Sequence, residues 1–152
     1  MEELNLNPGQ KIYFASDFHL GAPTAALSKS RELKIINWLN HIEKDAQAIF
    51  LVGDLFDFWF EYKQVVPKGF VRLQGKIAAL ADRGNKIYFF LGNHDMWMTE
   101  YFTKELGVKM ISDELELKIN GRRFFIAHGD GLGPGDYGYK FIKNCLLMSE
   151  FY

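Results

Sequence analysis

Three of the chain's four histidines, four aspartates and one asparagine fall in short polar stretches that each follow an apolar run. These stretches are Asp17-Phe18-His19, Gly53-Asp54, Gly92-Asn93-His94-Asp95 and His128-Gly129-Asp130. Imidazole nitrogen combined with carboxylate and amide oxygen is a donor set for borderline divalent ions such as Mn²⁺, Fe²⁺, Co²⁺ or Zn²⁺. The one cysteine, Cys145, lies in none of the four stretches, and a donor set without thiolates argues against a structural zinc cage. A carboxylate between two histidine-bearing loops can bridge two ions about 3.5–4 Å apart, clamping a phosphoryl group and acidifying a shared water. Gly-Asp and Gly-Asn also punctuate ordinary turns. A single such stretch reads as a turn; four in succession, three of them carrying histidine, read as a site.

The elements that must position these groups follow from the pattern around them. Lys11–Ala15 is short, β-branched and aromatic and runs into Asp17, which predicts a strand feeding a loop. Leu27, Ile35, Leu39, Ile42 and Ala46 fall near helical spacing with charges between them, which predicts an amphipathic helix. Ala48–Val52 and Lys86–Leu91 are continuous apolar runs, as expected of strands buried on both faces of a parallel sheet. Between them, Phe70, Leu73, Ile77 and Leu80 mark a second helix closed by Gly84. A short helix is expected over Thr99–Leu106, stopping at Gly107. Leu115–Ile119 and Arg122–Ala127 flank Asn120-Gly121, the strongest short-range signal for a two-residue hairpin. Strands alternating with helices predict a mostly parallel α/β sheet, and polar groups at the carboxyl ends of such strands converge on one crevice.

Composition bounds the rest. The chain has 152 residues, 48% of them hydrophobic, with 18 Lys+Arg against 19 Asp+Glu. That apolar share excludes disordered and collagen-like classes, and the near-neutral balance gives no sign of a nucleic-acid partner. No apolar run approaches the length of a membrane span, and the acidic start is the wrong flank for a signal peptide. A lone cysteine allows no internal disulfide and suits a reducing, cytoplasmic compartment. Cys145 is read as a core residue and His41 as an ordinary helix-end histidine.

With these stretches in order, Asp17-Phe18-His19, Gly53-Asp54-Leu55-Phe56-Asp57, Gly92-Asn93-His94-Asp95 and Ala127-His128-Gly129-Asp130 resemble the first four blocks of the calcineurin-like metallophosphoesterases. The resemblance implies a β-sandwich flanked by helices, a four-layer α/β/β/α arrangement, with two divalent ions, Mn²⁺ foremost, at the strand ends. It implies Asp17 and His19 as ligands of one ion, Asp54 as the bridge, and Asn93 and His128 as ligands of the other. It implies His94 as the phosphate-facing histidine, with Asp57 holding its ring. Asp95 and Asp130 are expected to shape their turns.

The last block of that family, a Gly-His-x-His pair, is absent from residues 1–152, so residues 1–152 are expected to be one phosphoesterase domain, truncated. Loss of that block leaves a non-catalytic metal-binding module open as an alternative, and exposed apolar surface is expected. Leu55–Tyr62 and His128–Lys140 further resemble the branch of the family that hydrolyses UDP-2,3-diacylglucosamine in lipid A biosynthesis. That resemblance implies Asp136 and Tyr139 as head-group contacts, residues 136–152 as the start of a helical cap, and a peripheral inner-membrane contact. The aromatic run Phe56, Phe58, Trp59, Phe60 and Tyr62 is expected either to pack between helix and sheet or to border an acyl groove. His94 stands where the best-known members of that branch carry arginine, which keeps generic phosphodiesterases and nucleotidases as alternatives.

Overall fold

The computed structural model describes residues 2–130 and Tyr137. In chain order the strands are β1 (Glu2–Leu4), β2 (Lys11–Ala15), β3 (Ala46–Val52), β4 (Lys86–Phe90), β5 (Lys109–Ile111), β6 (Glu114–Ile119) and β7 (Arg122–Ala127). The helices are α1 (Ala25–Ile42), α2 (Val71–Asp82) and α3 (Tyr101–Leu106). β2-β3-β4-β5 form an all-parallel sheet, and β1-β6-β7 form a second, mixed sheet in which β6 and β7 are antiparallel.

The continuous apolar runs are explained by burial on two sides. Ile49 and Leu51 of β3, with Ile87 and Phe89 of β4, face a core shared with α1, α2 and α3. The alternate residues Ala48, Phe50, Tyr88 and Phe90 face a second core built with Leu4, Leu117, Ile119 and Ile126 of the other sheet. Three layers, helix on sheet on sheet, are present among the described residues. The outer helical layer of the expected four-layer arrangement has no helix among them.

Three details of the predicted helices are corrected. Ala46 is not the last turn of α1 but the first residue of β3, and Leu27 is 56% exposed rather than part of the buried face. The apolar stripe of α1 runs through Ile35, Leu39 and Ile42. α3 starts at Tyr101, two residues after the expected Thr99. Strands β1 and β5 have no counterpart in the sequence reading. The hairpin forms as expected: Asn120 and Gly121 both adopt positive φ, 46° and 81°, the backbone that a type I′ turn requires.

Candidate metal centre

The strand ends deliver the polar stretches to one place. Asp17 and His19 follow β2, Asp54 follows β3, Asn93 and His94 follow β4, and His128 follows β7, so the second sheet contributes a single imidazole. Three of these residues, Asp17, His19 and Asp54, hold left-handed backbone with φ of 58°, 41° and 53°. Such conformations cost about 1–3 kcal/mol each for a non-glycine residue and cluster at functional sites. The loops stitch together to hold them: Asp17, His19 and Leu20 donate their amides to the carbonyls of Gly53, Asp54 and Leu55 at 3.2, 2.9 and 3.0 Å.

Asp54 is the hub. Its side chain is only 4% exposed, and one oxygen, Oδ2, lies 3.7 Å from Nε2 of His19 and 3.4 Å from Nε2 of His128. The other oxygen accepts the backbone amide of His94 at 3.0 Å. Two groups of ligand atoms lie within 4.8 Å of one another, His19 with Asp54 and His94, and Asp17 with Asp54 and His128; Asp54 belongs to both. Asn93 joins through its Oδ1, 3.3 Å from Nε2 of His128.

Two glycines make this closeness feasible. A Cβ on Gly92 would lie 2.1 Å from Oδ1 of Asp54, and one on Gly53 would lie 2.4 Å from Nδ1 of His128. Neither separation is compatible with van der Waals contact, so both positions need glycine to let backbone approach side chain.

The imidazoles have assigned faces. Nδ1 of His128 lies 2.9 Å from the Val52 carbonyl, which can only accept, so Nδ1 carries a proton and Nε2 is the nitrogen turned toward Asp54 and Asn93. Nδ1 of His94 similarly lies 3.0 Å from the carbonyl of Asp57, while the Asp57 carboxylate stands 3.6 Å from the same nitrogen and 3.8 Å from Nδ1 of His19. Asp57 therefore touches His94 more closely through its backbone than through its carboxylate. The His19 and His94 rings meet edge to face, with centroids 4.7 Å apart.

Asp95 is fully buried and shapes its turn as expected, accepting the amides of Gly92 at 2.9 Å and Phe56 at 3.2 Å. Burial pushes its carboxyl above the ordinary range, opposed by these amide bonds. His41 is an exposed residue of the last turn of α1. The aromatic run divides: Phe56 and Trp59 are fully buried against Phe102, whereas Phe58 and Tyr62 are exposed. Asp136, Tyr139 and Cys145 lie outside the described residues.

A contact that the sequence reading missed is Arg31. Its Nη1 reaches the carbonyls of Phe18, His19 and Ala22. Nothing in the spacing marks it, since an arginine on an amphipathic helix reads as a solvated charge.

The donor set fits a pair of divalent ions: imidazole nitrogens, one nearly buried carboxylate common to two groups, and an amide oxygen, with no thiolate among them. Comparisons with known proteins identify the chain's relatives. The chain is 48% identical over 120 residues to the UDP-2,3-diacylglucosamine hydrolase of Porphyromonas gingivalis, covering 79% of this chain and 46% of that protein. It is 32% identical over 130 residues to the enzyme of the same name from Escherichia coli, covering 86% of this chain and 52% of that protein. The chain thus spans about half the length of the curated relatives it matches. A crystal structure of a protein of unknown function from Aquifex aeolicus shares the fold, with a TM-score of 0.54 at 18% identity over 90% of this chain and 69% of that one. The model of the calcineurin-like phosphoesterase family matches residues 10–146, a span that holds every strand end described above, and the chain belongs to that family.

Proposed function

We propose that this chain carries the two-ion phosphohydrolase centre of a UDP-2,3-diacylglucosamine hydrolase. Water attacks the α-phosphorus, the bond from that phosphorus to the bridging diphosphate oxygen breaks, and UMP and 2,3-diacylglucosamine 1-phosphate leave. The observation that carries the reading is Asp54, nearly buried and placed between the imidazoles of His19 and His128. The names of the relatives support the substrate.

Asp17 and His19 would hold one ion, Asn93 and His128 the other, and Asp54 both, with Mn²⁺ the proposed metal. When bound, such a pair neutralises phosphoryl oxygens and acidifies water. His94 faces the phosphate. With Nδ1 donating to the Asp57 carbonyl, its Nε2 donates to a phosphoryl or leaving oxygen only as imidazolium, so Asp57 both orients the ring and adds a carboxylate beside that cation. Asp136 and Tyr139 are proposed as head-group contacts on the strength of the resemblance. The lipid part of the substrate sits in a leaflet, so the reading includes peripheral contact at the cytoplasmic face of the inner membrane.

The presence of His94 favours a second reading, a generic phosphodiesterase or nucleotidase of the same family. Assaying the Mn²⁺-loaded protein, together with a version extended through the length of the relatives, for UMP release beside a chromogenic diester separates the two. Release of UMP that is lost on Asp54→Asn supports the first reading. Cleavage of the diester alone supports the second. Tight Mn²⁺ binding with neither activity leaves a metal-binding module.

A further inference from the structure

The left-handed backbone at Asp17 and His19 needs support from outside the loop that contains it. On one side the loop after β2 is stitched to the loop after β3 by the amides already described, and Asp57 donates back to the carbonyl of Leu20 at 2.9 Å. On the other side stands α1. Ser28, buried on that helix, accepts the amide of Gly21 at 2.8 Å. Three residues further on, and therefore on the same helical face, Arg31 brings one terminal nitrogen to the carbonyls of Phe18, His19 and Ala22 at 3.0, 2.8 and 3.2 Å. The carbonyl of His19 also accepts the amide of Ala22, at 3.3 Å.

We infer that Arg31 is a positioning residue for the ion-binding loop: its guanidinium gathers the carbonyls of residues 18, 19 and 22 and so fixes the backbone from which the His19 imidazole projects toward Asp54. The chemistry suits arginine. Two N–H bonds on one nitrogen, held in the guanidinium plane, serve carbonyls that diverge around a turn, and charge-assisted bonds to carbonyls are stronger than neutral ones. A lysine carries its ammonium on a flexible stem and lacks the planar guanidinium that fixes the direction of these N–H bonds. Arg31 touches neither Asp17 nor Asp54 through its side chain in any contact seen here; it acts through the loop. The metal part of this inference rests on the reading of Asp17, His19 and Asp54 as ion ligands, whereas the clamping part does not.

The experiment compares the 152-residue wild type with Arg31→Lys and Arg31→Gln, and with Leu39→Val. The last removes one methylene from the buried face of the same helix, away from the loop, and controls for general loosening of α1. Two quantities are measured: amide hydrogen exchange at His19 and Leu20 in the metal-free protein, and affinity for Mn²⁺ alone by calorimetry. The expected result is at least tenfold faster exchange at these amides and Mn²⁺ affinity weakened by about ten- to a hundred-fold in both Arg31 variants, the range seen when groups that orient metal ligands are lost. Leu39→Val leaves both near wild type.

Wild-type binding of Mn²⁺ with unchanged affinity and exchange in the Arg31 variants overturns the inference and leaves the ion-site reading standing. A wild type that binds no Mn²⁺ overturns the ion-site reading instead. Exchange then decides the clamp by itself, faster rates upholding it and unchanged rates refuting it.

Discussion

Gly92 leaves no room for a side chain beside the site. The α-carbon of Gly92 is so near Asp54 that an added Cβ would also lie 2.4 Å from the Asp54 amide nitrogen, so relief requires moving backbone rather than rotating a side chain. Gly92→Ala is expected to cost about 1–3 kcal/mol in urea unfolding, the usual range for overpacking, and to weaken Mn²⁺ binding because Asp54 is displaced. A variant with wild-type stability and affinity would refute this close approach. Asp54→Asn tests the opposite case. It preserves shape and removes the charge, so it should leave the fold intact while abolishing Mn²⁺ binding by calorimetry. The identities of Asp17, His19, Asp54, Asn93, His94 and His128 were legible because each follows an apolar run. Arg31 was not, because its partners are main-chain carbonyls, which carry no residue-specific mark, and the turn that exposes them exists only once the loops have docked.

Secondary elements borrow their ends from one another. Neither α2 nor α3 has a side-chain cap of its own. Glu32 of α1, almost wholly buried, accepts the amide of Leu73 in α2 at 3.2 Å. Glu61 accepts Thr99 Oγ1 and the amides of Glu100 and Tyr101 at 2.5, 3.0 and 3.1 Å, which starts α3. Glu61→Ala is expected to lower stability by about 1–2 kcal/mol, the range for losing a helix cap, as read by urea unfolding; no change would assign these bonds no net value.

At the base of the parallel sheet, Asp45 receives Lys11 Nζ at 2.6 Å and the Tyr13 hydroxyl at 2.7 Å. Lys11 first, and then Tyr13, holds its carboxyl below the ordinary 3.8. A carboxyl lowered in the folded state adds stability that is complete above its unfolded value and disappears as pH falls through the folded one. The Tm difference between wild type and Asp45→Asn should therefore be constant at neutral pH and shrink below pH 3.8. A difference independent of pH would refute the link.

Long apolar runs such as Ala48–Val52 announce their own fold because both faces are covered. β1 and β5 have three residues each and acquire strand structure from their partners. Glu2–Leu4 takes its register from Leu117–Ile119, far along the chain, and no local pattern encodes that. By spacing alone Ala46 continues the stripe from Ile42, but the chain turns at residues 43–45.

Across the whole molecule, the sheet β1-β6-β7 ends at β7, which among the described residues pairs only with β6. Phe125 there is 59% exposed and Phe124 41%. Aromatic residues on an open strand edge favour pairing with other chains, and lysine is a common means of discouraging it. Concentration-dependent association by sedimentation is therefore expected for the 152-residue chain, reduced by Phe125→Lys. Unaltered association in that variant would place the contact elsewhere.

The partition of donors between the sheets has a mechanical side. The parallel sheet and its loops bring all but one of the proposed donors; His128 alone arrives from across the sandwich, where apolar contacts join the two layers. A cation seated among them would rivet the layers at one rim. Peeling β6 and β7 away would then require that cation to surrender an imidazole, so saturation with Mn²⁺ should slow the opening of the hairpin more than that of the helices.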